Sequence, residues 1–269
     1  MQMMRIHAGL LMFDNNGLGA ESLLKEALAY AATRLSDHSK LVISLKISLA
    51  RALTMQSKFN QAHKVTQELF ASANLYGGLS HHEISPIISQ HAFLLSSMGK
   101  HRESAAEYQR VLDIETDYYS ADHPRVLHGK SNLADSLLEA GEIDRAIEQY
   151  SELVRFDTTR DQINPVRLSS LKLRLSNALL KANQPAKAYG EIQQVADMLA
   201  GQTEVPNWME YTLGSLHGAA LIELGQCDEG LKLINQTVEQ IFLDSVSDSR
   251  ITSKIYARQA HYQASSMCA

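Results

Sequence analysis

The chain has 269 residues, of which 25 are Lys or Arg and 30 are Asp or Glu, and its formal net charge is −5. It has no apolar run close to the ~20 residues of a membrane span and no basic surface for phosphates, so we expect it to bind neither a membrane nor, directly, a nucleic acid. Its two cysteines, Cys227 and Cys268, are too few for a disulfide framework or a four-thiolate zinc site. Because cysteines are so few, we expect a cytoplasmic protein. Because glycine and proline are also scarce, we expect it to be predominantly helical.

Small residues recur in the sequence with a period of 42. Two columns at this period hold only Ala, Ser or Gly, a third holds only Leu, and a fourth holds only Asn, Ser or Gly. A repeat of this length is typical of a solenoid built from supersecondary units. The columns are Ala8, Ala50, Ala92, Ala134, Ser176 and Gly218; Ala20, Ala62, Ser104, Ala146, Ala188 and Gly230; Leu11, Leu53, Leu95, Leu137, Leu179 and Leu221; and Asn15, Ser57, Gly99, Gly141, Asn183 and Gly225.

Each column has a physical reason. Two small residues per unit let two helix backbones approach closely, and the leucine lies on the same face as the first small residue, three positions later. The Asn, Ser or Gly position accepts the backbone angles of a tight turn and so ends the first helix. Each unit is therefore predicted to be an antiparallel pair, with a helix A followed by a helix B.

In chain order, the pattern predicts six helix pairs and one further helix. In the fourth pair, helix A is expected at Pro124–Ala140 and helix B at Ile143–Asp157. Helix A of the first pair begins at or before Met3 without a capping residue, which fits either a fragment or a complete chain with a frayed first helix. A single array over 1–269 is expected, with repeats at about 1–38, 39–80, 81–122, 123–164, 165–206 and 207–247 and a capping helix at 248–266.

The spacing from small residue to Leu, turn residue and second small residue resembles the tetratricopeptide repeat, in the long form found in kinesin light chains. The resemblance covers nearly the whole chain and implies a right-handed superhelical solenoid whose A helices line a concave groove. The first, fifth and sixth repeats depart most. Pro185 and Cys227 occupy the turns of the fifth and sixth repeats, and Gly218 and Gly230 are expected to loosen the sixth pair. The fourth repeat matches best, with Asp122-His123-Pro124, Ser131-Asn132-Leu133-Ala134, Gly141, Ala146, Tyr150 and Leu153.

The same resemblance places several polar side chains in the groove. An asparagine offers a donor and an acceptor to a peptide backbone, an arginine holds a carboxylate through parallel hydrogen bonds, and an aromatic ring anchors an apolar group. The alternative is that these side chains only solvate the groove. A chaperone-type carboxylate clamp is not matched at Gly9, Ser48 and Ser89. The candidate peptide-binding residues are Arg51, Phe93, Asn132, Asp135, Arg174 and Asn177.

No catalytic motif appears in the sequence, and we expect neither a cofactor nor a metal site. His7, His91 and His217 share one repeat position. We expect them to be core or half-buried residues about one repeat or more apart, too distant to share a metal. Cys227 is expected to be a small buried residue rather than a reactive thiol, since no basic residue flanks it.

Three functions remain open at this point. The leading hypothesis is a non-enzymatic, regulatory scaffold that holds a protein or peptide segment in its groove, with self-association as an option. The second is a ligand- or peptide-sensing domain of a larger bacterial transcription regulator or kinase. The third, an enzyme that uses the array as a frame, is the weakest because the columns contain no clustered acid and base.

Overall fold

The computed structural model describes residues 1–37, 39–75, 80–160, 163–202, 204–244 and 250–264, with the side chains of 73–75, 81–83 and 250 left aside. Within these ranges the chain forms thirteen α-helices and no β-strand, and the predicted all-α repeat fold is confirmed. The helices are α1 (Gln2–Phe13), α2 (Gly17–Ala32), α3 (Lys40–Met55), α4 (Phe59–Leu75), α5 (His81–Ser97), α6 (His101–Tyr118), α7 (Pro124–Glu139), α8 (Ile143–Thr158), α9 (Pro165–Lys181), α10 (Pro185–Leu199), α11 (Asn207–Glu223), α12 (Cys227–Leu243) and α13 (Arg250–Ala264).

The chain divides into two compact units, Met1–Gly141 and Glu142–Ala269. The first contains α1 to α7 and the second α8 to α13. Odd-numbered helices are the A helices of the repeat and even-numbered helices the B helices. Within each unit a B helix packs against the A helix that follows it, as α2 does on α3 and α10 on α11.

The two small-residue columns form the close contacts within the helix pairs, as predicted. All twelve residues are buried. In the third pair, the Ser104 hydroxyl donates to the backbone carbonyl of Ala92, 2.9 Å away. In the sixth pair, a Cβ atom on Gly218 would lie 2.6 Å from the carbonyl oxygen of Gly230, and the reverse substitution meets the same distance. The expectation that these glycines loosen the pair is wrong, because they allow α11 and α12 to approach backbone to backbone.

The turn column ends each of the first six A helices in the left-handed backbone region. All six residues have φ between +56° and +85°. In most of these turns the N–H that follows reaches back to the carbonyl of the leucine column, as Lys58 does to Leu53 at 2.9 Å and Gln226 to Leu221 at 2.9 Å. These bonds satisfy carbonyl groups that a helix end would otherwise leave unpaired.

An ion pair recurs between a B helix and the next A helix. In the first unit, Arg125 of α7 contacts the buried Glu115 of α6 with 3.4 Å between Nη1 and Oε1. In the second unit, Arg167 of α9 contacts the buried Asp157 of α8 with 2.7 Å between Nε and Oδ2. Both members of the second pair lie 42 positions after those of the first, so the contact follows the repeat.

The predicted terminal helix corresponds to α13, and the rest of the predicted range 248–266 lies outside the described residues. Ile255 of α13 packs with Tyr211 and Ile241, and Tyr262 packs with Ala219 and Ile234. The last helix therefore covers apolar side chains of both α11 and α12, which is the role expected of a cap.

Two expectations need correction. His91 and His217 are partly buried, and burial lowers the pKa of both imidazoles, but His7 is exposed. Phe70 of α4 packs edge-on against the His91 ring, whereas no B helix precedes α1 in the described part of the chain. Cys227 opens α12 and is partly buried rather than buried, and it packs beside Ile234. The other cysteine in the sequence, Cys268, lies outside the described residues.

Candidate functional site

Two positions on each A helix carry the candidate binding residues. One follows the small residue of helix A directly and the other lies one turn earlier, so the two share a helix face. We call the surface that these positions form within a unit the A-helix face of that unit. The first position gives Arg51, Phe93, Asp135 and Asn177, and the second gives Asn132 and Arg174.

In the first unit, the structure brings two of these residues into contact. The guanidinium carbon of Arg51, on α3, lies 5.4 Å from the ring centre of Phe93, on α5. Arg51 is exposed and Phe93 is partly buried. A cation over an aromatic face is held there by the ring's quadrupole, so Phe93 restricts where the exposed Arg51 side chain points.

Asn132 and Asp135 also belong to the first unit and lie one turn apart on α7. Both are partly buried. They therefore place an amide and a carboxylate side by side on the same helix, and an amide both donates and accepts hydrogen bonds. The first unit thus holds four of the six predicted residues.

Arg174 and Asn177 belong to the second unit and lie one turn apart on α9. Arg174 is exposed and Asn177 is partly buried. The amide oxygen of Asn177 accepts a hydrogen bond of 3.0 Å from Nη2 of Arg258, on α13. Because a guanidinium only donates, the Asn177 amide must present its oxygen to Arg258 and its NH₂ group elsewhere.

Arg258 ties three A helices together. Its other terminal nitrogen, Nη1, donates to the hydroxyl of Ser215 on α11 at 2.6 Å. Burial lowers the pKa of this guanidinium, since a charged group loses hydration when it leaves water. One turn further along α13, the Tyr262 hydroxyl donates to Glu223 at 2.9 Å, and burial together with this bond raises the pKa of the phenol.

Ser215 and Arg258 are functional candidates that the six predicted residues do not include. A capping role for the last helix gives no reason to single out Arg258. The repeat itself contains the signal, because steps of 42 from Asn132 pass through Arg174 and Leu216 to Arg258. On α11 this position holds the buried Leu216, so polar side chains occupy it on α7, α9 and α13 but not on α11.

The arrangement is suited to holding a ligand by hydrogen bonds and charge. The first unit offers the Arg51 guanidinium over an aromatic ring, and the second unit offers the Arg258 guanidinium bonded to the Asn177 amide. In the part of the chain that the structure describes, no three His, Cys, Asp or Glu side chains come together as a metal-binding group. Over the same residues, no helix combines the length and the apolar character needed to cross a membrane.

Comparison with known sequences identifies part of the chain. Residues 83–159 match the tetratricopeptide repeat family. This range includes Asn132 and all but the last residues of the fourth repeat. No sequence among the curated proteins matches the chain significantly.

Solved structures with the same fold cover most of the chain. The apo form of RapI covers 98% of this chain and 70% of its own, with a TM-score of 0.72 at 8% identity. The apo quorum sensor NprR from B. thuringiensis covers 97% and 70%, with a TM-score of 0.67 at 13% identity. Nearly identical TPR-like repeats of a Podosopora anserina kinesin light chain cover 74% and 94%, with a TM-score of 0.62 at 18% identity. The chain therefore has the fold of tetratricopeptide repeat proteins, and its residues 83–159 match the tetratricopeptide repeat family.

Proposed function

We propose that this protein is a non-enzymatic scaffold that binds an extended peptide or protein segment along its A-helix face, in a regulatory setting. The observation that carries the proposal is that hydrogen-bonding and cationic side chains occupy these two positions on α3, α7 and α9, whereas on α11 both positions hold buried apolar residues. An extended peptide presents its backbone groups at regular intervals. A surface with donors and acceptors at a regular spacing is suited to such a ligand.

Exposure separates these residues from the core. The side chains of the small and leucine columns pack between helices, whereas those of Arg51 and Arg174 are exposed. Removing an exposed side chain changes folding stability little, yet removing a hydrogen-bonding partner of a bound ligand costs affinity. Binding and stability should therefore respond differently to substitutions at the A-helix face.

The test is affinity selection on the immobilised full chain with a random heptapeptide pool, followed by binding measurements with the selected peptides. Arg51→Ala should weaken binding about 10- to 100-fold, the equivalent of ~1.5–3 kcal/mol for a hydrogen bond to a charged group, and Asn132→Ala should weaken it by about 2- to 10-fold, the equivalent of ~0.5–1.5 kcal/mol for a hydrogen bond between neutral groups. Their melting temperatures should stay close to that of the parent protein.

Arg102→Ala is the matched control, because Arg102 is an exposed arginine on the B helix α6. It should bind the selected peptides as the parent does. If Arg51→Ala and Asn132→Ala bind as tightly as this control, the A-helix face of the first unit is not the binding surface. A pool from which no peptide is retained contradicts the peptide-binding function itself.

A second candidate function is a sensing domain of a larger regulator. The observation that favours it is the likeness in fold to NprR, described as a quorum sensor, over 97% of this chain. A sensor must convert binding into a change of conformation elsewhere, whereas a scaffold only needs to hold its ligand.

Hydrogen exchange of the chain with and without a selected peptide distinguishes the two. A scaffold should show protection confined to the A helices that carry the site. A sensor should also show altered exchange in B helices that bear none of the binding residues. Protection limited to the A-helix face would contradict the sensor hypothesis.

A further inference from the structure

Arg258 is a partly buried cation, and the hydrogen bonds that it makes with the described residues go to neutral groups. Its two terminal nitrogens donate to the Ser215 hydroxyl and to the Asn177 amide oxygen, at 2.6 Å and 3.0 Å. Elsewhere in the described residues, buried charged side chains on neighbouring helices are paired with opposite charges, as in Glu115 with Arg125 and Asp157 with Arg167. Arg258 therefore differs from the ion pairs that join the repeats.

A cation in this position favours an anionic partner. Moving a charge out of water is unfavourable unless hydrogen bonds and an opposite charge compensate for it. Two neutral acceptors supply hydrogen bonds but no negative charge. The lowered pKa of the guanidinium reflects the same incomplete compensation by its surroundings. An anion bound to Arg258 would supply the negative charge that these two acceptors lack.

We propose that Asn177, Ser215 and Arg258 form a carboxylate-binding site on the A-helix face of the second unit, which we call the guanidinium site. The inference rests on the proposed peptide-binding function and specifies its ligand: a peptide that carries a carboxylate, either at its C-terminus or on an Asp or Glu side chain.

The geometry of the three residues suits this ligand. A guanidinium has five N–H donors in a planar fork, and the bonds to Asn177 and Ser215 use one on each terminal nitrogen. These two bonds fix the plane of the fork, so less rotational freedom is lost when a carboxylate binds through parallel hydrogen bonds. The NH₂ group of Asn177, turned away from Arg258, is positioned to donate to a backbone carbonyl of the same peptide.

A purely structural role is the competing explanation, since Arg258 connects α9, α11 and α13. The two roles differ in their response to ligand charge. If Arg258 is only a structural bridge, its removal should lower stability and change the binding of all peptides to the same extent. If it forms a carboxylate site, peptide affinity should depend on the charge of the peptide and should fall as salt is added.

The experiment uses three pentapeptide pools on the immobilised full chain. The first pool omits Asp and Glu and has free C-termini, so its only carboxylate is the terminal one. The second pool has the same sequences with amidated C-termini and carries no carboxylate. The third pool is amidated and contains one fixed Asp or Glu, so its only carboxylate is on a side chain. Retention of the first or third pool should exceed that of the second at least about 10-fold at low salt. The pool that is retained identifies the source of the carboxylate.

Variants locate the site. Arg258→Gln should reduce retention of the carboxylate pool to that of the neutral pool, and Arg258→Lys should give an intermediate value because lysine keeps the charge but lacks the fork. Arg155→Gln removes an exposed arginine of the B helix α8 and should leave retention unchanged. If Arg258→Gln unfolds, the Lys variant, which keeps the charge and the donors, provides the comparison.

The outcomes separate the inference from the proposed function. Equal retention of all three pools, with sensitivity to Arg51→Ala, overturns the guanidinium site and leaves peptide binding intact. Carboxylate-dependent retention that survives Arg258→Gln or is unchanged by Arg258→Lys also overturns it. Retention of none of the pools contradicts both. Selective loss of the carboxylate pool in Arg258→Gln, at unchanged melting temperature, supports the inference.

Discussion

The carbonyl oxygen of Gly230 lies 2.6 Å from the point where Gly218 would carry a Cβ atom. Since real Cβ atoms are not found so close to a backbone oxygen, only glycine permits this separation of α11 and α12. The same repeat positions hold alanine or serine in the other pairs, which therefore have room for one carbon or oxygen atom more. The sixth pair is the most closely packed of the six at this point.

Gly218→Ala should therefore destabilise the protein, although alanine is the better helix former. We expect a loss of roughly 1–3 kcal/mol in the free energy of unfolding, because overpacking displaces backbone. The matched control is Gly190→Ala on α10, where an added Cβ meets nothing within 4 Å, and it should stabilise by about 0.5–1 kcal/mol. Urea unfolding measures both, and equal effects of the same sign would contradict the close approach.

The turn column predicts that introducing a glycine at one position raises stability and that removing a glycine at an equivalent position lowers it. Ser57 has φ of +57° and Gly141 has φ of +83°, a region that side chains with a Cβ atom disfavour. Ser57→Gly should raise the stability by about 0.5–1 kcal/mol, and Gly141→Ala should lower it by about 1 kcal/mol. Thermal unfolding followed by circular dichroism tests this, and a lower melting temperature for Ser57→Gly would be the contrary result.

Leu10 and Leu94 occupy one repeat position with different burial. The side chain of Leu94 is inaccessible to water, whereas Leu10 is 60% exposed, because a B helix packs against α5 but none precedes α1 in the described chain. Leu94→Ala should cost roughly 2–5 kcal/mol through the cavity that it leaves. Leu10→Ala should cost less than about 1 kcal/mol. Denaturant midpoints that shift equally would refute this difference.

Glu21 should stabilise the first unit in a pH-dependent way. Its carboxylate accepts hydrogen bonds from Lys25, Lys58 and Gln56 at 2.6, 2.7 and 2.9 Å. The bonds from Lys25 and Lys58 are the main causes that lower the pKa of Glu21 from 4.5 to about 2. Because the folded-state pKa lies below the unfolded value, the stabilisation is complete above about pH 4.5 and is lost as the pH falls through 2.

Glu21→Gln should consequently lower the free energy of unfolding by roughly 1–3 kcal/mol at pH 7, and the difference from the parent should shrink below pH 4.5. Glu26→Gln on the same helix is the control, since Glu26 is exposed. Urea unfolding at several pH values between 3 and 7 provides the measurement. A difference between Glu21→Gln and the parent that does not change over this range would argue against the charged network.

The periodic part of the fold could be predicted from sequence because close packing restricts residue type. At Ala134 and Leu137 only a small residue and a leucine-sized residue fit, so the pattern is visible in every repeat. The bounds of α7 and α8 differ from the predicted ones by one residue at the C-terminal end only. Glycine at 218 and 230 was harder to interpret, since a small residue indicates either a loose or a very close contact.

The site was only partly predictable because the A-helix face is solvated and tolerates many residue types. The contact between Arg51 and Phe93 depends on two side chains one repeat apart, and their positions in the sequence do not give the distance between them. Arg258 reaches Asn177 across 81 positions, and no local pattern indicates such a contact.

The ion pairs Glu115–Arg125 and Asp157–Arg167 have a consequence for how such a chain can grow. A second copy of residues 116–157 inserted after Asp157 would place its own Arg125 ten positions after the original Asp157, and its own Asp157 ten positions before Arg167. Each charge would meet a partner of opposite sign without any other substitution. Gene duplication of this 42-residue segment would therefore add a whole repeat while keeping the ion pair at each junction it creates.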